Sequence, residues 1–437
     1  MENYKSRYIE LIIFFLFFCN LFFGHGFQIL TFFNLPINYI FLIVLIIFSL
    51  NHLTFNTLKI KKLHSIIFIF LALNFLRLIL NIQEFGLIAL RDATYSIDML
   101  FLIASIYIFS INNIFDQFKN LIKICFFTVL LFIILWIFRD FVEKFSPTIT
   151  SVTGQTSSLF FNWSTIALYL IWFSFYKIIF NDDKIKFLSL IILIFFILFS
   201  LIVFQRRFIY LCLIALFSIS FFIKKKESVQ LLVFFLVGIM IIPILNYLGI
   251  SLEGKIGKVS NIFFFIDHLA SSLPGYVDND NQFAVTSATA EKRLEFIYYV
   301  LQKQFSNVFL FLFGTGFGQP LVDFIATGGI TVREPHNMYL TIFARSGFIG
   351  FVLFIIINIK LIYLWFETYH YIKDEKKSSH YQLLIFSGIY FIFIYVTGLT
   401  DSSLSNNYLS IIFNILWGLI ISINHQYTKK DENFTNS

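Results

Sequence analysis

Long apolar runs separated by short polar or basic breaks recur along almost the whole chain. Most are about 17 to 25 residues long, enough for a helix to cross a ~30 Å hydrocarbon layer, and they lack the strict alternation of a membrane barrel. The pattern predicts spans over 8–23, 35–50, 65–81, 93–111, 121–138, 158–176, 187–204, 208–223, 229–248, 347–366, 381–399 and 407–423. This is an all-α integral membrane protein of about twelve transmembrane helices. Residues 1–248 hold helices one to nine, 249–336 form a long loop with short helices, 337–425 hold helices ten to twelve, and 426–437 form a tail.

Composition agrees: the chain is 58% hydrophobic and 13% charged, with a mean hydropathy of +0.83, outside the balance of soluble domains. Lysines in the short loops fix the orientation, because basic residues near span ends stay cytoplasmic. Lys5, Lys59, Lys61, Lys62, Lys119, Lys123, Lys224 to Lys226, Lys373, Lys376 and Lys377 all fall on one side, which puts both termini inside and the 249–336 loop outside. The first span has a basic flank and no small-residue cleavage site, so it reads as a retained anchor. A net charge of +7 is explained by lysines facing an anionic inner leaflet; membrane lipid is a partner and nucleic acid is not implied. Cys19, Cys125 and Cys212 lie within spans and read as packing residues rather than disulfide or metal ligands.

Arginine is distributed differently from lysine. In this topology Arg77, Arg91, Arg139, Arg206, Arg207, Arg293, Arg333 and Arg345 all sit in the outer half of the membrane or beyond. A guanidinium offers forked donors that match phosphate oxygens, and a cation at membrane depth usually faces a protein cavity, so the outer face reads as built for an anion. Arg206 and Arg207 are adjacent at the outer end of the seventh span and point about 100° apart on a helix, so one of them faces the site.

The loop begins with turn-rich sequence. Residues 262–269 predict a short amphipathic helix, and a longer one is expected from Ala290, capped by Ala288 or Thr289, with Arg293 in its first turn. Asp278 and Asp280 read as a solvated turn rather than a cation site. Gly314-Thr315-Gly316-Phe317-Gly318 is a tight turn without the flanking strand or Lys-Ser/Thr of a nucleotide cradle. Then come Arg333-Glu334-Pro335-His336-Asn337-Met338-Tyr339-Leu340 and Gly347-Phe348-Ile349-Gly350. They place an imidazole at the mouth of a span that begins with a short helix to Arg345 and then two glycines for close packing.

Two blocks, Glu291-Lys292-Arg293-Leu294 through the Gly314 to Gly318 turn and Pro335-His336-Asn337-Met338-Tyr339-Leu340 through Gly350, resemble the O-antigen ligase and polymerase superfamily of bacterial membrane glycosyltransferases. The resemblance implies an undecaprenyl-pyrophosphate-linked oligosaccharide as donor, action at the periplasmic face of the bacterial inner (plasma) membrane, and no metal or other cofactor. It implies His336 beside the acceptor hydroxyl, and Arg293 with Arg206 or Arg207 at the pyrophosphate. Two features depart from the family pattern: Phe296, Tyr298 and Tyr299 stand on the loop helix where a tryptophan often follows the arginine, and the central-span run is Gln205-Arg206-Arg207-Phe208.

Chemistry supports the same roles. Guanidinium groups meet the charge developing on a pyrophosphate leaving group, and an imidazole titrating near neutrality takes the acceptor proton. Glu334 and Asp401 are the candidates to orient that imidazole. Arg333, Asn337, Tyr339, Arg77 and Arg91 are further supporting candidates, and outer aromatics such as Tyr276, Tyr298 and Tyr299 offer faces for sugar rings. The expected function is an O-antigen or capsular polysaccharide polymerase, with room for a chain-length regulator as partner. The alternatives are a ligase that moves finished O-antigen to lipid A core, which shares donor and chemistry, and a lipid-linked oligosaccharide flippase, which leaves the loop residues without a task.

Overall fold

In the computed structural model of the chain, the described residues are 2–32, 35–50, 61–111, 114–136, 138–150, 156–159, 172, 195, 198–199, 201–202, 205, 207–223, 225–249, 259, 263–271, 284–322, 324–325 and 331–435. Long apolar runs form α1 (Glu2–Phe22), α2 (Ile37–Leu50), α3 (Lys61–Phe85), α4 (Met99–Ile111), α5 (Phe115–Trp136), α6 (Arg207–Ile223) and α7 (Lys225–Tyr247). After these come α8 (Ala284–Phe305), α9 (Val308–Phe313), α10 (Met338–Ile372), α11 (Ser379–Thr397) and α12 (Asn407–Thr435). The strands among the described residues are short antiparallel pairs such as Thr148–Thr150 with Thr156–Ser158.

Among the described residues four helical stretches, Leu63–Phe85, Met338–Ile372, Ser379–Thr397 and Asn407–Thr428, are long and apolar enough to cross a membrane. Shorter apolar helices cover Ile37–Phe48, Thr94–Ser110, Ile209–Ser218 and Ser228–Ile244. Most of the expected sixth and seventh spans, together with Tyr276, Asp278 and Asp280, lies outside the described residues. The expected short helix at 262–269 is present as Phe263–Ala270. The loop helix expected from Ala290 begins instead at Ala284. Nothing in Ala284-Val285-Thr286-Ser287-Ala288-Thr289-Ala290 breaks a helix, so Ala288 and Thr289 extend it rather than cap it, and Arg293 moves from the first turn into the interior.

The bundle is organised around α12. The membrane-length window of this helix is 94% buried, with polar Ser410, Asn414 and Ser422 buried alongside its apolar residues, and its most extensive neighbour is α4. The two backbones come close because Gly418 has no side chain: a Cβ there would overlap Ser105 and come within 3.0 Å of the Leu102 carbonyl. Ser422 then donates to the Ile106 carbonyl across the seam at 3.0 Å. Cys19, Cys125 and Cys212 are free, buried thiols.

A second tie is polar. Asn20 of α1 and Asn38 of α2 exchange side-chain hydrogen bonds at 3.1 Å. Asn38 continues to Asn407, and Asn407 donates to Asp98 at 2.8 Å. Polar groups in an apolar bundle find partners on other helices, so this chain sets how α1, α2 and α12 meet the segment leading into α4.

Candidate functional site

The site is built on a break in α10. Gly347 adopts φ 68° and ψ −174° inside this helix, so the turn before it loses the donors that would satisfy the Ala344 and Arg345 carbonyls. Water is scarce at such a position, and the donors come from the preceding segment. Thr315 N–H donates to Ala344 O at 2.8 Å and Gly316 N–H to Arg345 O at 3.1 Å. Gln304 adds a bond to Ala344 O at 3.2 Å, and the Arg77 guanidinium bridges Arg345 O at 2.9 Å and Gly314 O at 2.7 Å.

This docking explains the glycines of the turn. Gly314 has φ 78° and lies directly against Gly347, so a Cβ on either would overlap the other's backbone. Gly318 has φ 96° and packs on Phe85. The turn clasps a broken helix with its backbone.

Asp92 locks the clasp from behind. Its fully buried carboxylate pairs with Arg345, also fully buried, at 2.7 Å, and accepts the Gly318 N–H at 3.1 Å. Arg91 lies 3.0 Å and Arg333 3.5 Å from the same carboxylate. Arg345 Nη1 also donates to Gly316 O at 3.1 Å and Gln319 O at 2.5 Å, and Arg333 donates to Gly318 O. Of the arginines expected to face an anion, Arg77, Arg91 and Arg333 are thus engaged with this carboxylate or with backbone carbonyls. Asp92, its pairing with Arg345 and the part played by Gln304 were not anticipated; Asp92 stands just before the expected 93–111 span, beside Arg91, and gave no sign of a distant partner.

His336 sits at the entry to α10 with its side chain 46% exposed. Its φ is 51°, a left-handed conformation costing about 1–3 kcal/mol outside glycine and common where geometry serves a site. Among the described residues Gln205, immediately before the Arg206-Arg207 pair, is the other non-glycine residue with positive φ. Arg207 opens α6; Arg206 lies outside the described residues.

The imidazole meets a carboxylate from the α11–α12 turn. His336 Nδ1 is 3.7 Å from Asp401 Oδ1. Partial burial pushes the Asp401 carboxyl up, but contact with His336, the Ser402 N–H and the charge of Arg293 outweigh it, so the group is held below the ordinary carboxylate range. Burial pulls the Arg293 guanidinium down, and the Asp401 charge opposes this. His336 at the start of α10 thus meets Asp401 of the α11–α12 turn, and Arg293 on α8 is near enough for its charge to act on Asp401.

Asn337 fixes the convergence. Its side chain caps α10 by accepting the Leu340 N–H at 2.9 Å and donates to Leu399 O at 3.0 Å. Met338 N–H reaches Gly398 O at 2.8 Å. The histidine and the aspartate are thereby tied to each other through backbone. Tyr339 directs its hydroxyl to Tyr395 O at 3.1 Å, and Glu334 contributes negative potential at Arg345.

Residues 192–355 match the family described as O-Antigen ligase, a segment holding Arg206, Arg207, Arg293 and His336. No curated protein matches the chain. The family match supports the O-antigen ligase and polymerase superfamily, and with it a ligase- or polymerase-type membrane glycosyltransferase acting on a lipid-linked sugar.

Two consequences are measurable. Asp92→Ala leaves Arg345 buried without its counter-charge and is expected to cost about 3–5 kcal/mol in unfolding of the detergent-solubilised protein, whereas replacing both partners by Leu and Met is milder. A depressed carboxyl pKa contributes stability above its unfolded value and loses it as pH falls through the folded value. The small thermal-stability advantage of wild type over Asp401→Asn should therefore persist from neutral pH down to about pH 5 and vanish only below about pH 4. Loss of that advantage at neutral pH would contradict the pairing.

Proposed function

We propose that the chain is a polysaccharide polymerase of the bacterial inner membrane. It transfers a glycan from undecaprenyl pyrophosphate to an acceptor sugar hydroxyl at the periplasmic face, where the 249–336 segment lies. The observation that carries this reading is the convergence of His336, Asp401 and Arg293 on one partly exposed surface. With Asp401 at Nδ1, the Nε2 atom of His336 is left for the acceptor. The acceptor oxygen attacks the anomeric carbon, its proton passes to Nε2, and the bond from that carbon to the pyrophosphate breaks with its electron pair leaving on the lipid pyrophosphate. Arg293, with Arg206 or Arg207, meets the charge on the departing group. In-line attack inverts the anomeric centre.

A ligase is the second reading, because the matching family carries that description. It uses the same atoms with lipid A core as acceptor. A deletion strain separates the two: lipopolysaccharide bearing a single repeat identifies a polymerase, and bare core with accumulating lipid-linked polymer identifies a ligase. Complementation with His336→Ala should lower turnover by about 10²–10⁴-fold at unchanged protein level; normal chain-length ladders would remove His336 from catalysis. Arg293→Lys should also impair transfer, since it keeps the charge and loses the fork. Full activity there would mean that a point charge suffices.

A further inference from the structure

An open cleft of about 560 Å³ runs along α8 beside the candidate site, within the range of roughly 300–1,000 Å³ that holds small organic ligands. Tyr298 and Tyr299 line it and are 70% and 46% exposed. Glu295 and Gln302 add a carboxylate and an amide to the same cleft, and Phe296 and Val322 line it. Its base is packed: Val322 clusters with Val300, Leu321 and Ala344, so the cleft is seated on the helix turn whose carbonyls the glycine clasp holds.

Its composition selects the occupant. A lipid tail calls for apolar walls throughout, and Glu295 and Gln302 are out of place against one. An isolated phosphate calls for cations, and a carboxylate repels it. A sugar ring presents C–H faces that lie on aromatic rings, edged by hydroxyls that donate to a carboxylate and exchange hydrogen bonds with an amide. Spacing fits a strand: Leu294, Tyr298 and Gln302 recur every four residues on one helix face over about 12 Å, and Tyr298 lies about 7–8 Å along the axis from Arg293.

We propose that this cleft is an oligosaccharide subsite in which successive rings of an uncharged or amino-sugar glycan stack on Tyr298 and Tyr299 and hydrogen-bond to Glu295 and Gln302. It rests on the glycosyl-transfer reading and extends it, giving the glycan a track that leads from Arg293 along α8. The track holds the strand through sugars remote from the reacting carbon, the kind of contact that positions a substrate without taking part in bond exchange.

The test uses the full chain in lipid nanodiscs and two probes: the soluble oligosaccharide repeat released by mild acid from the lipid-linked glycan of the producing cells, and undecaprenyl phosphate, which has tail and phosphate but no sugar. Saturation-transfer NMR reads binding of each. Wild type should bind the oligosaccharide. The Tyr298→Ala/Tyr299→Ala pair should bind it about tenfold more weakly or worse, and the Tyr298→Phe/Tyr299→Phe pair, which keeps both rings, within about twofold of wild type. Undecaprenyl phosphate should bind all three proteins equally. The subsite is overturned if the wild type fails to bind the oligosaccharide, if the alanine pair binds it normally, or if the phenylalanine pair loses as much as the alanine pair. It is also overturned if the alanine pair loses undecaprenyl phosphate instead, which would make the cleft a seat for the lipid. Failure of the transfer reading has a separate signature: turnover that survives His336→Ala while the binding pattern stands.

Discussion

A helix broken inside an apolar bundle must find donors for the carbonyls it frees, and the break at Gly347 sets the arrangement of the rest of the site. Those donors are the backbone amides of the Gly314 to Gly318 turn, with the side chains of Gln304 and Arg77. Because the turn follows α8 and α9, satisfying α10 also fixes where α8 lies. The position of Arg293 and of the tyrosine-lined cleft therefore follows from the hydrogen-bond requirement of the break.

The same requirement divides the arginines by task. Arg77 and Arg345 donate to carbonyls around the break, and Arg345, Arg91 and Arg333 lie at the carboxylate of Asp92. Such cations neutralise a charge the protein itself supplies and have little left for a ligand. Arg293 differs. Its charge acts on Asp401, which also contacts His336, so it belongs to the partly exposed group where chemistry has access.

Much of this was legible in the chain, for physical reasons that differ by element. Apolar runs announce α3, α10, α11 and α12, because length and hydropathy suffice for a helix in hydrocarbon. Gly347 was readable as punctuation after the short helix that runs to Arg345, whereas the capping bond of Asn337 was not read. Asp401 was nameable as a partner for His336, but its approach comes from the α11–α12 turn, and sequence spacing carries no such distance. Asp92 was hidden by its neighbour: Arg91-Asp92 looks like a local surface pair, and the carboxylate's role appears only when Arg345, far along the chain, arrives beside it. The start of α8 was misplaced because small residues such as Ala288 and Thr289 are compatible with both cap and helix.

A buried ion pair is a poor source of stability, since desolvating two charges offsets most of their attraction and an apolar pair of similar volume often does as well. The Asp92–Arg345 pair is better understood through geometry. An apolar plug would fill the space behind the glycine turn but would not choose among nearby positions of the turn. A carboxylate that must meet Arg345 at 2.7 Å and the Gly318 amide at 3.1 Å accepts few. On the proposed mechanism, transfer needs the imidazole and the guanidinium placed to within about 0.5 Å of a productive arrangement. The pair sits behind the junction of the Gly314 to Gly318 turn with α10, close to the start of the helix that carries His336. There a small slip of the turn would move α8, and with it Arg293, relative to the histidine. Specificity of position, rather than net stabilisation, is what makes a charge in that place consistent with the rest of the fold.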